Sequence, residues 1–238
     1  GGLGLDYHTL ALLSDAFEYV DTSARVIVSV HNGLHSLALL QWGTEAQKQQ
    51  YLVPIAQGKQ LATFCLTEPA AGSDVAGIQA FAEKKGERYV LSGEKIWISL
   101  STAADLYLVM AYTDRAKQAA RDHSGISAFV VERAWKGVKP YDLHGKLGVR
   151  AGKTGGVAFE NVEVPAANML GQPDEGFKIA MSALDNGRYT VAAGCVGLMK
   201  ACLDASVKYC GERTTFKKPI GKHQLVQQML AFMRQSID

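Results

Sequence analysis

Three textures along one chain predict an α+β, multi-domain protein. Residues 1–60 read as helical, residues 61–172 as a series of short strands, and residues 173–238 as helical again. Apolar residues make up 47% of the 238 and charged residues 20%, enough to bury a sizeable core and too apolar for disorder. At roughly 150 residues per domain, the length gives between one and two domains. The helix–sheet–helix order is the first informative feature.

The N-terminal zone runs from about Tyr7 to Gly58. Leu10, Leu13, Phe17 and Val20 recur at three- and four-residue spacing and predict one apolar helix face. Thr44-Glu45-Ala46-Gln47 has the spacing of a capping box, which starts a helix that Pro54 and Gly58 punctuate. Val26 to Thr44 carries no formal charge and is long enough to span a bilayer. Its Ser29, His31, Asn32, Gly33, His35, Ser36 and Gln41 would be costly in hydrocarbon, so a buried core helix is expected and no membrane span. No basic n-region or cleavage site marks a signal peptide. The start at Gly1-Gly2 and the stop inside a helical pattern at Asp238 read as a fragment.

In the central zone, Leu61–Leu66, Tyr89–Leu91, Lys95–Ile98, Leu106–Tyr112, Ile126–Val131 and Val157–Val164 alternate with turn residues. That spacing predicts an antiparallel barrel or sandwich. Ser92-Gly93 suits a tight hairpin, and Asp114 to Asp122 a solvated turn. In the last zone, Tyr189 to Glu212 reads as one long helix. Ala192, Ala193, Gly194, Gly197 and Ala201 would let a neighbouring helix approach, and Leu203, Val207 and Cys210 extend an apolar face. Pro219-Ile220-Gly221 breaks the pattern, and Leu225 to Ile237 starts another helix.

Charge and special residues exclude several classes. Lys plus Arg is 25 and Asp plus Glu is 23, a net of +2, without the basic excess of a nucleic-acid protein. Four cysteines with no C-x-x-C pair are no disulfide framework, and point to a reducing compartment. Cys202 and Cys210 read as buried small hydrophobes. His31 and His35 stand four apart, a spacing that can hold a metal on a helix. Without an H-E-x-x-H motif they read as core or surface histidines, and no metal is expected.

Three stretches could carry chemistry. Phe64-Cys-Leu-Thr-Glu-Pro-Ala-Ala-Gly-Ser-Asp74 is a strand that stops at Pro69 and opens into a glycine-containing turn. Its N–H groups and the hydroxyls of Thr67 and Ser73 could bond a flat polar ring or a phosphate, although an ordinary strand-to-loop connection fits as well. In Gly93-Glu-Lys-Ile-Trp-Ile-Ser99, strand alternation puts Lys95, Trp97 and Ser99 on one face. Trp97 would then cover a planar heteroaromatic and Ser99 reach a ring atom, unless Trp97 is simply core. In Glu212 to Gln224, Arg213 could pair with a pyrophosphate, against the alternative of a solvated basic linker.

Together these stretches resemble the acyl-CoA dehydrogenase family of flavoproteins. The C-L-T-E-x-x-x-G-S-D-x-x-G segment from Cys65 to Gly77 matches its first signature, and G-x-K-x-W-I-S follows at the expected distance. Lys146-Leu-Gly-Val-Arg150, Phe159-Glu-Asn-Val-Glu-Val-Pro165 and Leu170-Gly171 look like its last barrel strands. Arg188 with Ala192-Ala-Gly194, then Glu212-Arg213 with Phe216 and Gln224, resemble its C-terminal bundle. The resemblance covers almost the whole chain, in order.

The resemblance implies an N-terminal helical domain, a central antiparallel β-barrel domain and a partial C-terminal helical bundle. It implies FAD as cofactor and an acyl-CoA substrate, dehydrogenated to a trans-2-enoyl-CoA in fatty-acid β-oxidation. Electrons would pass to electron-transfer flavoprotein, in the bacterial cytoplasm or the mitochondrial matrix. Phe64, Leu66 and Thr67 would line the flavin ring, with Trp97 packed on it and Ser99 near N5. Ser73 would touch the pyrophosphate or the CoA, and Asp185 and Arg188 the acyl-CoA. Arg213, Thr215, Phe216, His223 and Gln224 would hold the adenine-side phosphates of a neighbouring subunit's FAD, which implies a homodimer or homotetramer. An acyl-CoA oxidase, a flavin monooxygenase or a nucleic-acid-binding relative would share the fold.

The chain departs from the family pattern at two turns. Leu100-Ser101 stands where Asn-Gly is usual, and Lys217 replaces the glycine after Phe216. Most members place the catalytic glutamate beyond the point matching Asp238. A minority place it one residue before the arginine matching Arg188, where this chain has Gly187. The base is therefore expected beyond Asp238, and Glu68 reads as structural.

Overall fold

The computed structural model describes residues 2–238. In chain order, helix α1 (Tyr7–Val20) precedes α2 (residues 22–42, with a wider π-type turn over Ser29–Ser36) and α3 (residues 45–56). Strands follow: β1 (Ala62–Cys65), β2 (Phe81–Lys85), β3 (Arg88–Ile98), β4 (Leu106–Tyr112), the short helix α4 (Arg115–Ala119), β5 (Ile126–Glu132), β6 (Val138–Asp142), β7 (Gly155–Pro165) and β8 (Met169–Leu170). The chain ends with α5 (Gly176–Glu212), a hairpin of β9 (Thr214–Thr215) and β10 (Lys218–Pro219), and α6 (Gln224–Gln235). It divides into two compact units, one formed mainly by residues 26–188 and one by residues 5–25 with 189–238.

In the larger unit, eight strands form one sheet in the order β6-β7-β3-β2-β4-β5-β8, with β1 also on β4. β4 is buried along its whole length. Leu106, Leu108, Met110 and Tyr112 pack with Leu39, Ile55 and Ile179 from the helices, while Tyr107, Val109 and Ala111 pack with Leu91, Phe129 and Val157. A strand with no solvent face is apolar at every position, which accounts for the uninterrupted Leu106–Tyr112 run. The second cluster joins β3 and β7 to β4 and β5, so the sheet curls onto itself as a barrel does. The pairing is not antiparallel throughout: β1 and β2 both run parallel to β4. The connections between these pairs are long enough to return the chain in the same direction.

Several local expectations change. Tyr89–Leu91 and Lys95–Ile98 are one continuous strand, and Ser92-Gly93 is a bulge in its pairing with β7, not a hairpin. Gly93 sits at φ 147°, and a Cβ there would lie 2.7 Å from Ala80 Cα, so only glycine fits the bend. The tight turn is instead Gly86-Glu87, between Lys85 and Arg88. Asp114 to Asp122 holds the short helix α4, with the Asp114 carboxylate accepting from Ala116 N and Lys117 N. The capping box at Thr44 and Gln47 forms as its spacing requires.

The smaller unit packs α1 beside the second half of α5. Asp6 caps α1, accepting from Thr9 N at 2.8 Å. The helix turns Ser14 and Glu18 inward, while Leu13, Phe17 and Val20 stay exposed, opposite to the face its apolar spacing predicts. Polar partners decide the orientation. Glu18 forms a buried ion pair with Arg25, Asp15 pairs with Lys200 at 2.5 Å, and Tyr19 Oη donates to Asp204 at 2.8 Å. The close approach expected at the small residues is present: a Cβ on Gly197 would lie 2.0 Å from the Asp15 carbonyl oxygen. The helix begins at Gly176, earlier than the Tyr189 expected. Cys202 is exposed and Cys210 half-buried, so neither is the core residue expected. By length and composition α5 could cross a membrane, with a mean hydropathy of 1.4 in its most apolar window. Its Lys200 pairs with Asp15 and its Asp204 accepts from the Tyr19 hydroxyl, both on α1, and such charged groups are costly in hydrocarbon.

Candidate functional site

The end of β1 and the end of β3 lie side by side. Ile96 N donates to the Thr67 carbonyl at 2.9 Å, and the Thr63 hydroxyl donates to the Ser99 carbonyl at 2.5 Å. These bonds set the chain segments that carry Thr67 and Ser99 against each other along one wall of the sheet. Thr67 and Ser99 are half-buried, while Phe64 and Leu66 turn their side chains into the helix-side core.

The face expected for Lys95, Trp97 and Ser99 is not shared. A register shift falls between Ile96 and Ile98, and Trp97 stands at φ 61°. The bulge resets the alternation: Lys95 is buried, whereas Trp97 is 61% exposed. An indole that is neither core nor relaxed is unusual, because a bulky residue in the left-handed region carries about 1–2 kcal/mol of strain. Such strain persists where the surroundings impose it and concentrates at functional sites. The core reading of Trp97 is thereby excluded. The usual Asn of the next turn is replaced by Leu100, which also stands at positive φ (62°) and buries its side chain.

Sequence reasoning missed what lies behind this wall. Lys95 Nζ, fully buried, donates to Glu68 Oε1 at 2.7 Å and to the Leu66 carbonyl at 2.9 Å. Glu68 also accepts from Gln79 N at 2.5 Å and Ala80 N at 3.0 Å, which bears out its structural role. Burial lowers the pKa of Lys95, and Glu68 pulls it back up. Burial also pushes the neighbouring Cys65 thiol up, leaving it unreactive. A lysine and a glutamate on adjacent strand ends, 27 residues apart, were the available signal.

The other predicted residues are placed apart. Ser73 is exposed in the turn after Pro69, next to Asp74, which pairs with Arg121. Asp185 and Arg188 lie one turn apart on α5 and bond to each other at 2.7 Å, both exposed. Gly187 has its Cβ position filled: an added atom would lie 2.7 Å from Leu34 Cδ2. No metal-binding cluster occurs among the described residues. His31 and His35 bond β1 instead, His31 Nδ1 accepting from Ala62 N at 3.1 Å. A surface hollow lined by Gln60, Asp105, Leu106, Glu132, Arg133 and Ala134 contains none of the predicted site residues.

In the smaller unit, the β9–β10 hairpin turns through Phe216 and Lys217, at φ 47° and 61°. Phe216 is 89% exposed at its tip. The Thr215 hydroxyl lies 3.2 Å from His223 Nε2, and the Phe216 and His223 rings meet edge-on at 6.1 Å. Ile220 N donates to the Arg213 carbonyl at 2.8 Å, closing the loop and leaving the Arg213 and Gln224 side chains exposed. Hydroxyl, imidazole and guanidinium donors around an exposed ring suit the polyanionic and aromatic parts of a dinucleotide.

The residues at each place suit a part of a flavin dinucleotide: an exposed indole and the half-buried hydroxyl residues Thr67 and Ser99 at one, an exposed guanidinium with a hydroxyl and an imidazole at the other. Fold and site together define an acyl-CoA dehydrogenase scaffold. The chain belongs to the acyl-CoA dehydrogenase family. Its N-terminal domain model matches residues 1–59, its middle domain model residues 63–162 and its C-terminal domain model residues 174–238. The family is FAD-dependent. The chain is 40% identical to the glutaryl-CoA dehydrogenase of Desulfococcus multivorans, covering 100% of this chain and 61% of that protein. A chain in the structure described as the electron transferring flavoprotein of Acidaminococcus fermentans superposes with a TM-score of 0.95 at 40% identity, covering 100% of this chain and 61% of its own length. The Bacillus anthracis acyl-CoA dehydrogenase complexed with FAD gives 0.92 at 36% identity, over 100% and 40%. The chain thus spans about three-fifths of the length of the first of these relatives.

Proposed function

We propose that this chain supplies the flavin-gripping part of an acyl-CoA dehydrogenase that converts an acyl-CoA thioester to a trans-2-enoyl-CoA. The observation carrying this reading is the strained, exposed indole of Trp97, next in the chain to Ile96, whose N–H bonds the Thr67 carbonyl, and two residues before Ser99. FAD, when bound, supplies the acceptor for the electron pair leaving the substrate's β carbon. Thr67 donates to the polar edge of the ring, Trp97 covers one face and excludes water, and Ser99 offers a hydroxyl to a ring atom. Ser73 serves the pyrophosphate or CoA, and Asp185 and Arg188 serve the acyl-CoA.

Arg213, Thr215, Phe216, His223 and Gln224 hold the adenine-side phosphates of a partner subunit's FAD, in a homodimer or homotetramer. By the family resemblance the base that removes the α proton would come from beyond Asp238, because Gly187 offers no ionisable group at the other position where the family places it. Electron-transfer flavoprotein receives the electrons, in a bacterial cytoplasm or mitochondrial matrix. Division at residues 60/61 and 172/173 assigns each group of residues to its domain.

Reconstitution tests the reading. The folded chain, titrated with FAD, is expected to take up the flavin with quenched fluorescence, and the visible band is expected to shift when an acyl-CoA is added. A folded chain that takes up no FAD overturns it.

A further inference from the structure

The Leu66–Thr67–Glu68 segment has every carbonyl engaged. Leu66 O accepts from Lys95 Nζ at 2.9 Å, Thr67 O from Ile96 N at 2.9 Å, and Glu68 O from Ala71 N at 3.1 Å. The first of these bonds is the only one of the three made by a side chain, and that side chain is a fully buried ammonium. Burying a charge is costly unless it is paired and bonded. Glu68 provides the pair, and its own carboxylate is locked by Gln79 N and Ala80 N. Replacing such a pair with apolar residues is often neutral for stability, so stability alone does not account for it.

Peptide geometry shows what the pair achieves. The Leu66–Thr67 peptide is trans, so its C=O and N–H point in opposite directions. Drawing Leu66 O inward to Lys95 aims the Thr67 N–H outward, beside the Thr67 hydroxyl. We infer that Lys95, locked by Glu68, is a positioning residue that presents the Thr67 N–H as a fixed donor to the polar edge of the bound ring. This rests on the FAD reading above. The donor is aimed before the ring arrives, so little ordering is left to binding. Lys95 touches neither ring nor substrate and acts through the backbone alone.

The test is the double variant Lys95→Met with Glu68→Gln, in the full chain. It removes the stranded carboxylate while keeping an acceptor for Gln79 N and Ala80 N. The wild-type chain is titrated with FAD in parallel. The variant is expected to keep wild-type circular dichroism and to bind FAD about tenfold more weakly, as for one lost hydrogen bond. Its flavin reduction potential and visible band are expected to shift, which a purely structural pair would not cause. A folded variant with wild-type affinity, potential and band overturns the inference and leaves the FAD reading intact. A wild-type chain that takes up no FAD overturns both. If the double variant fails to fold, the Thr67 amide proton of the nitrogen-15-labelled wild type decides. Its resonance is expected to move downfield when FAD is added, and an unmoved resonance overturns the inference.

Discussion

The Nδ1–H of His35 donates to the Thr63 carbonyl at 2.8 Å, and that bond fixes which ring nitrogen is left bare. His35 Nε2 is buried and has no hydrogen-bond partner among the described residues. A proton there would be an unpaired charge in a dry core. Burial therefore lowers the pKa of His35 to about 4; the Thr63 bond opposes the shift, and the nearby His31 adds slightly to it.

Acid should loosen the larger unit in a defined window. The unfolded chain takes up the His35 proton near its ordinary value of 6.5, the folded chain only near 4. Stability is full above pH 6.5 and declines as pH falls toward 4, by roughly 3 kcal/mol from this residue. Burial lowers the pKa of His31 as well, which acts in the same direction. Urea midpoints measured from pH 7 to pH 4 should fall in the wild type and fall much less in His35→Asn. An equal decline in both would exclude His35 as the cause.

The turn at Phe216-Lys217 should accept a stabilising glycine. Both residues have positive φ, a two-residue hairpin turn whose preferred occupants are Asn and Gly. Leu100 stands in the same region but offsets the strain by burying its side chain in the core, whereas Lys217 is exposed. Lys217→Gly is expected to raise stability by about 1 kcal/mol. A midpoint that stays put or drops would show the turn to be unstrained.

The difference between legible and hidden features follows how local each one is. The caps at Asp6 and Thr44 need only neighbouring residues, and the capping-box spacing at Thr44 was readable directly. The all-apolar β4 was readable because burial on both faces leaves no alternation to misinterpret. Phase along β3 was not, because the bulges at Gly93 and Trp97 depend on pairing with β7, more than 50 residues on. The face of α1 was misread because Glu18 and Asp15 find partners at Arg25 and Lys200, and paired charges can be buried where single ones cannot. For the candidate site, motif spacing singled out Thr67, Trp97 and Ser99, whereas the Lys95–Glu68 pair appears only once the two strand ends meet.

Two glycines of α5 should respond to alanine in opposite ways. At Gly197 the new Cβ would lie 2.0 Å from the Asp15 carbonyl oxygen, so α1 must move away. Gly197→Ala is expected to destabilise by about 1–3 kcal/mol, the range for overpacking. Gly211 has nothing within 4 Å of its Cβ position, so Gly211→Ala gains helix propensity, up to about 1 kcal/mol. Thermal melts of the two variants should move to either side of the wild type. Equal shifts would mean that α1 and α5 do not pack as closely as described.

Trp97→Ala separates a binding role from a packing role. The side chain is 61% exposed, so its removal forfeits only the covered minority of a large ring, and stability should fall by no more than about 2 kcal/mol. Losing an aromatic face against a planar ring typically weakens binding by about 0.5–1.5 kcal/mol, so FAD affinity should drop up to roughly tenfold. Fluorescence titration with FAD and a urea curve on the same preparation give both numbers. Alanine at position 97 keeps the positive φ and its strain, so any change in affinity belongs to the indole and not to a relaxed bulge. A large loss of stability with unchanged FAD affinity would return Trp97 to the core and remove the observation on which the flavin wall was built.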